Sequence, residues 1–430
     1  MEHLITSTTE IESLQTETMF SLDQLVQCGA RRMLEAALAA EVEAYIQCHQ
    51  KERDEAGHAL VVRNGKSQER AIHSGAGVLN IQAPRVNDKR EGQKFSSTIL
   101  PPYMRRTPRL EEAVPILYLR GLSTGDFSEA LAALLGEAVT GFSATTVTRL
   151  LSVWQEEQRL WQKRPLAHKQ YVYIWADGVH FNVRLEEDRL ACLVIIGVRP
   201  DGVKEVIAID DGYRESSESW LTLLRDLKRR GLSAPKLAMA DGALGFWAAL
   251  RQVFPETEEQ RCWVHKIANV LDKMPKRLQP KAKAQLHEIM RSPDKKAALE
   301  EMERFQHTFA DKYPKAVQTL TKDKEQLFTF FNYPAAHWIH LRTTNAIESA
   351  FSTVKARTRS TKGAGSRKAG LAMAFKLLMM SEKRWRKVNS PHLVAVVQAG
   401  VRFPDGQTCI LPDMPKSSDS FIIKPVEVAV

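Results

Sequence analysis

The stretch Lys169–Val183, KQYVYIWADGVHFNV, decides the fold. It packs β-branched and aromatic residues into a short run that stops being apolar at Asp177-Gly178, as a strand reaching a polar end does. Two similar runs follow, RLACLVIIGVR (residues 189–199) and KEVIAIDDGY (residues 204–213), with turn signals between them. Then the period changes. SESWLTLLRDLKRRG (residues 217–231) places Leu221, Leu224 and Leu227 on one helical face, PKLAMADG (residues 235–242) reads as a fourth strand, ALGFWAALRQVF (residues 243–254) as a second helix, and EEQRCWVHKI (residues 258–267) begins as a fifth strand. The order β-β-β-α-β-α-β predicts an antiparallel meander continued by parallel crossovers in one mixed sheet.

This order matches an α/β fold of the ribonuclease-H-like kind. In it the first and fourth strands are parallel neighbours, about 4.8 Å apart. Both end in the same triplet, Ala176-Asp177-Gly178 and Ala240-Asp241-Gly242, so Asp177 and Asp241 should stand side by side. Adjacent carboxylates repel unless a cation stands between them, and a hard divalent ion with oxygen ligands, such as Mg²⁺, resolves that conflict. A third acid lies downstream. Glu348 is the only acid between Gln326 and Ser381, and seven bases follow it before Glu382: Lys355, Arg357, Arg359, Lys362, Arg367, Lys368 and Lys376. Three carboxylates can hold two ions that clamp the attacking and leaving oxygens of a phosphoryl transfer. Each acid also has a structural reading: Asp-Gly is turn chemistry, and Asn345-x-x-Glu348 is close to a capping box on a helix that starts near Asn345. Asp210 and Asp211, at the end of the third strand, fall two strands from Asp177, roughly 10 Å away.

Outward from this core, residues 20–47 read as a helix and residues 58–86 as a small hairpin with its turn in HSGAG, followed by the Pro-punctuated basic linker ILPPYMRRTPR. In TGDFSEALAALLG, Phe127, Leu131, Leu134 and Leu135 follow helical spacing. After Gly136 to Gly141, Ser143 caps a second helix whose inner face is Val147, Leu150, Leu151 and Trp154. Two helices around a short turn fit a helix-turn-helix or an ordinary helical hairpin; in the first reading Thr145, Thr146, Arg149 and Ser152 face outward to read DNA. Residues 266–341 are helical, basic and broken by five prolines, an insertion ahead of the last helix. The expected domains are therefore a helical N-terminal or dimerisation segment (1–62), a basic hairpin and linker (63–109), a helix-turn-helix-like region (110–165), a catalytic domain (166–265 and 342–390), the helical insertion (266–341) and a tail (391–430).

Charge is uneven along the 430 residues. Residues 1–62 carry four bases and eleven acids, residues 63–109 ten bases and three acids, and residues 349–390 eleven bases and one acid. Two basic blocks suggest two surfaces for a polyanion. Lys355, Arg357, Arg359, Lys362, Arg367 and Lys368 are the candidate phosphate contacts of the second. Five scattered cysteines with no CxxC argue against a disulfide framework and for a reducing interior. The first twelve residues have no apolar core of the signal-peptide kind, and LAMAFKLLMM is too short to span a bilayer. Cys262-x-x-His265 and His337-x-x-His340 could together be read as a zinc site, although the gap between them is outside the usual finger spacing; a packed Cys and a hydrogen-bonding His at a strand end is the other reading. KGAGS (Lys362–Ser366) lacks the phosphate-loop pattern and reads as a flexible basic turn.

Taken in order, RNG (63–65) to APR (83–85), LEEAVPILYLRGLST, WADGVHFNVR, MADGALGFWAAL, QRCWVHKIANVL and TTNAIESAFSTVKARTR resemble a bacterial insertion-sequence transposase of the Mutator type over roughly residues 20–395. The resemblance implies that the family's acidic triad is Asp177, Asp241 and Glu348 and that its C-x₂-H signature is Cys262 and His265. It implies two Mg²⁺ or Mn²⁺ ions, an all-helical insertion, and N-terminal domains that bind terminal inverted repeats. Double-stranded DNA is then the partner, at element ends and at the target, with a homodimer or larger homo-oligomer assembled on it, in the bacterial cytoplasm at the nucleoid and away from membranes. The implied reaction is nicking followed by direct strand transfer; a nuclease or resolvase of the same fold, which hydrolyses DNA without joining, is the alternative. The recognition-helix candidate is sparsely basic for this role.

Overall fold

The fold is that of a computed structural model, which describes residues 21–407 apart from 121, 123–128, 131–132, 134–143, 184–188, 213–215, 243 and 361–362. Two compact units divide at Val153/Trp154.

In the first unit, α1 (Leu22–Cys48) is set by a capping box: Gln24 N–H donates to Ser21 Oγ at 3.3 Å, and the Ser21 N–H to Gln24 Oε1 at 2.9 Å. Its buried Leu38 joins Ile72, Leu79, Ile81 and Leu100 in a small core. The expected hairpin is there, and it is the inner of two nested pairs. β2 (Arg70–Ser74) pairs with β3 (Gly77–Ile81), and β1 (Val61–Lys66) closes antiparallel on β4 (Pro84–Asp88). α2 (Pro108–Arg120) follows, then α3 (Ala144–Gln162), which crosses into the second unit. Of the first helix of the expected helix-turn-helix only Glu129, Ala130 and Ala133 are described, as helical, and its turn and Ser143 lie outside the described residues. Of the expected inner face of α3, Trp154 is buried and Leu150 and Leu151 are half-buried.

The second unit holds the five-stranded sheet in the order β7-β6-β5-β8-β9. β5 (Tyr173–Phe181), β6 (Leu190–Val198) and β7 (Lys204–Gly212) form the antiparallel meander; α4 (Ser217–Arg229), β8 (Leu237–Ala240), α5 (Leu244–Val253) and β9 (Glu258–Arg261) supply the crossovers, with β5–β8 and β8–β9 parallel. One face of the sheet, with Ile174, Ala176, Ala238 and Ala240, is covered by Trp220, Leu224 and Leu227 of α4 and Phe246 and Leu250 of α5. The edge strand β7 is closed by side chains. Arg164 Nη2 donates to the carbonyls of Val206 and Ile207, Gln162 Nε2 to that of Ile209, and Glu382 accepts the Val206 N–H. Backbone groups engaged in this way cannot template a further strand.

Beyond Cys262 every described element up to Leu341 is helical: α6 (Trp263–Leu271), α7 (Gln279–Arg291), α8 (Lys295–Phe309), α9 (Pro314–Thr321), α10 (Lys324–Leu327) and α11 (Trp338–Leu341), joined by short 3₁₀ turns. The helical insertion is therefore present as expected. It leaves and returns at one place, because the Trp263 N–H donates to the Arg342 carbonyl at 2.9 Å. α12 (Asn345–Ser360), α13 (Arg367–Glu382) and α14 (His392–Gln398) complete the chain. Of the KGAGS segment, Lys362 lies outside the described residues, and Gly363–Ser366 form a turn held by backbone hydrogen bonds. Gly363, at φ 107°, donates to the Thr358 carbonyl as a helix terminator, Ala364 N–H bonds Asn182 O at 3.0 Å beside β5, and Ser366 caps α13. No described helix is long and apolar enough to cross a membrane.

Candidate active site

The register fixes the first two acids. Ala176 lies opposite Ala240 in the parallel pair β5–β8, so Asp177 and Asp241 come next in line on adjacent strands, about 4.8 Å apart in backbone spacing. They share a parity with Tyr173, Trp175 and Met239 and so point away from α4 and α5. The side they face is the one where Tyr173 meets His337 and Trp175 Nε1 donates to the His340 carbonyl, both at the end of the insertion. Two details differ from expectation. Asp177 does not end its strand, since β5 runs on to Phe181. Asp241 does follow the last residue of β8. Each aspartate carboxylate accepts the N–H of the glycine after it. The second glycine has a separate reason. Gly242 has no positive φ, but a Cβ there would collide with Nη2 of Arg261, whose guanidinium lies on it.

Glu348 arrives from α12. That helix packs its buried residues Ile347, Ala350, Phe351 and Val354 inward and lies against β5. The cap sits one residue earlier than expected. Asn345 is the first helical residue, its N–H bonds Thr343 Oγ1, and the Glu348 N–H bonds the Thr344 carbonyl, so the Asn345 capping box is absent. Glu348 instead accepts a hydrogen bond from Thr344 Oγ1 at 2.7 Å.

Cys262 joins the two arrivals. Its N–H donates to the carbonyl of Ala240, next to Asp241, and its sulfur accepts the Thr344 N–H at 3.3 Å. His265, one turn into α6, has Nδ1 3.8 Å from Glu348 Oε1. The Cys262 sulfur beside it pushes the His265 imidazole up to about 9, against the opposing effect of burial, and the fields of Asp241 and Glu348 add to the rise. One imidazole thus feels both acids, although they are separated by 107 residues in sequence. Among the described residues, the ligand atoms of Cys262, His265 and Glu348 are the group that lies within 4.8 Å of one another. The expected zinc partner is elsewhere: His337 is bonded to Tyr173 and to the Ser390 carbonyl, and His340 accepts the Asn389 N–H. Cys262, buried, directly follows the last residue of β9 and caps α6, and His265 in the first turn lies 3.4 Å from Thr344 Oγ1, so the reading of a packed Cys and a hydrogen-bonding His at a strand end holds.

As a donor set, Asp177, Asp241 and Glu348 are hard oxygens, half-buried with access to solvent, on one side of the sheet. That suits a divalent ion of the Mg²⁺ class, whereas the only sulfur here is fully buried and already bonded to Thr344. Asp210 and Asp211 lie two strands away, as expected, and Asp211 is taken by Arg367 through two hydrogen bonds of 2.6 and 3.0 Å.

The candidate DNA-binding residues divide. Lys355 and Arg359 are exposed and share the face of α12 that carries Glu348, at i+7 and i+11, and Lys368 is exposed at the start of α13. Arg357 is 3% exposed, because its position continues the buried stripe of Ile347, Ala350 and Val354, so it cannot serve as a surface phosphate ligand in this conformation. Arg367 is engaged by Asp211 and half-buried. Lys362 lies outside the described residues, as do the side chains of Thr145 and Thr146, although both threonines fall within α3. Arg149 is exposed near Arg106, whose guanidinium is lowered by burial and then by the field of Arg149. Substituting both Lys355 and Arg359 by Ala should flatten the salt dependence of DNA affinity by about 0.9 log unit for each phosphate no longer neutralised. Arg357→Ala should leave that slope unchanged and lower the melting temperature. Binding titrations at several salt concentrations, with thermal melting alongside, check both outcomes.

The sequence profile of the family described as "Transposase, Mutator family" matches residues 2–387. The chain is 55% identical over 298 residues to the transposase for insertion sequence element IS6120 of Mycolicibacterium smegmatis, covering 69% of this chain and 92% of that protein. It is 46% identical over 295 residues to the transposase for insertion sequence element IST2 of Acidithiobacillus ferrooxidans (66% and 97%). It is 31% identical over 320 residues to the transposase for insertion sequence element IS256 in transposon Tn4001 of Staphylococcus aureus (73% and 79%).

Proposed function

This chain belongs to the Mutator family of transposases, and we propose that Asp177, Asp241 and Glu348 are the acids with which it cuts the ends of its element and joins them to target DNA. The observation that carries the assignment is the Cys262 junction, which bonds the backbone beside Asp241 on one side and the residue that starts the Glu348 helix on the other. We read the mixed sheet with its helical insertion as the ribonuclease-H-like arrangement, in which such acids act together.

Asp177 and Asp241 would hold Mg²⁺ or Mn²⁺ from the rigid sheet, and Glu348 would complete the set from the first turn of α12. Bound there, two divalent ions supply Lewis-acid activation of a water or 3′-hydroxyl and charge stabilisation at the departing oxygen. The chain's own contribution is placement. In this reading the sheet register would set two carboxylates, and the closed base of the insertion the third. Lys355 and Arg359, one and two further steps along the Glu348 face, would neutralise phosphates flanking the scissile bond. The basic segment 63–109 and the Arg149 face of α3 would engage the terminal inverted repeats, on a homo-oligomer that holds two ends.

A strand-transfer assay tests the reading: purified chain, a labelled element end, a target plasmid and Mg²⁺. Joined product is expected. Cleaved end without joined product would assign hydrolysis alone, and neither product would overturn the proposal.

A further inference from the structure

The C-x₂-H pair has no chemistry in the reading above, and Thr344 was assigned nothing by spacing, yet the three meet. Thr344 is fully buried. Its Oγ1 lies 2.7 Å from Glu348 Oε1, 3.1 Å from Cys262 Sγ and 3.4 Å from His265 Nδ1. A hydroxyl has one proton and two lone pairs. The shortest contact is to a carboxylate, and a charge-assisted bond takes the proton. That leaves both lone pairs for donors; a His265 Nδ1–H faces one of them at 3.4 Å, while the Cys262 sulfur, which accepts the Thr344 N–H, lies against the same oxygen at 3.1 Å. His265 is too far from Glu348, at 3.8 Å, to bond it directly, so it reaches the acid through this oxygen.

We propose that Thr344 is the positioning residue of Glu348, and that Cys262 and His265 act on the acid through the Thr344 hydroxyl, aiming its carboxylate toward Asp177 and Asp241. The inference rests on Glu348 being a metal-binding acid. The bond leaves Glu348 Oε2 for an ion, while Oε1 is fixed in direction by a hydroxyl that is itself held by its own backbone N–H on Cys262 and by the two side chains. Outer partners of this kind orient metal-binding groups, and their loss commonly costs about 10–100-fold in metal affinity. A thiophilic ion held by Cys262, His265 and Glu348 themselves is the competing use of the same atoms. The Thr344 oxygen argues against it, because it already touches all three ligand atoms and stands where such an ion would go.

The test is Mn²⁺ binding to the full chain, followed by electron paramagnetic resonance of free Mn²⁺, in the wild type and in the Thr344→Val, Thr344→Ser, Cys262→Ser and Glu348→Gln variants. Cleavage of a labelled end is titrated with Mg²⁺ in parallel, and end binding and thermal melting are measured for each. Thr344→Val, which keeps the shape and removes the hydroxyl, should weaken Mn²⁺ binding and raise the half-maximal Mg²⁺ concentration by about 10-fold, with end affinity unchanged. Thr344→Ser should restore both. Should Thr344→Val bind Mn²⁺ like the wild type while Glu348→Gln does not, the positioning role is wrong and the triad survives. Thr344→Ser as impaired as Thr344→Val would equally overturn the role of the hydroxyl. If Glu348→Gln binds Mn²⁺ normally, the triad assignment itself fails and takes this inference with it. A thiolate-to-Co²⁺ absorption band that disappears in Cys262→Ser would hand the cluster to a soft metal instead.

Discussion

Asp177→Asn, Asp241→Asn and Glu348→Gln each abolish end cleavage and joining, by about 10³-fold or more, and leave element-end affinity within a few-fold of the wild type. The size follows from what each acid does. If the acids hold the ions as proposed, removing one anionic ligand would weaken the grip on an ion that stabilises charge at both the attacking and the leaving oxygen, and every 1.36 kcal/mol lost from the transition state is about tenfold in rate. The isosteric amides keep volume, and the affected backbone is held independently. Gly178 and Gly242 N–H groups can still bond an amide oxygen, and α12 is anchored by Ile347, Phe351 and Val354 rather than by Glu348. Folding should therefore survive, and a melting curve coincident with the wild type separates lost chemistry from lost structure. The informative variant is Glu348→Gln. The two aspartates are neighbours by strand register, whereas Glu348 depends on the whole insertion returning to its start. Retained joining in Glu348→Gln would remove the third acid from the proposal; retained joining in either aspartate variant would remove the site.

How much of this was legible in the sequence can be followed residue by residue. Most of the sheet was legible because β5 to β8 contain nearly continuous apolar runs, and because the repeated Ala-Asp-Gly ties two of them to one register; β9, Glu258–Arg261, carries no apolar residue. The helical character of the insertion was legible from composition and prolines. Its closure was not, since the bond from Trp263 to Arg342 links residues 79 apart and no local pattern encodes it. Thr344 went unseen because Asn345-x-x-Glu348 imitates a capping box; the i, i+4 spacing of Thr344 and Glu348 was the available signal. Arg357 was misread for a related reason. Counting bases ignored that positions 347, 350, 354 and 357 share one helical face, which is buried. Arg367 could not have been set aside from sequence, because its partner Asp211 is 156 residues away. Charge counts locate a basic block, and the helical period then decides which members of it reach solvent.

The base of the insertion also carries the largest expected effect on stability. Asp323→Ala should lower the unfolding free energy by about 3 kcal/mol, the lower end of the cost of breaking a buried ion pair by removing one partner, since Lys266 is buried and Asp323 half-buried. Asp323 Oδ2 accepts from Lys266 Nζ at 2.6 Å and from Arg261 Nη1 at 2.7 Å, and the Lys266 side chain is 2% exposed. The partners do not share the benefit equally. Burial pushes the Lys266 ammonium down in spite of Asp323, while Asp323, which burial alone would raise, is held below the ordinary carboxylate value by Lys266 and Arg261. The pair is therefore costly to bury and costlier to break, because Asp323→Ala strands an ammonium whose remaining partner is the Thr319 carbonyl. Adding Lys266→Met to Asp323→Ala should recover much of the loss, since it removes the stranded charge and keeps the packing. The pH dependence has a fixed sign. A carboxylate with a depressed folded-state value stabilises above its unfolded value, about 4, and that stability is lost as pH falls through the lower folded value. The gap between wild type and Asp323→Ala should thus narrow in acid and be full at neutral pH. Denaturant unfolding at neutral pH and at pH values below about 4 measures it, and a gap that widens in acid would show that Asp323 is not charged in the fold. Function should follow stability here. Arg261, freed from Asp323, is the residue whose guanidinium lies on Gly242 beside Asp241. Loosening the base of the insertion should therefore disturb Asp241 as well as the approach of Glu348, and metal affinity in Asp323→Ala should fall at temperatures where the protein is still folded.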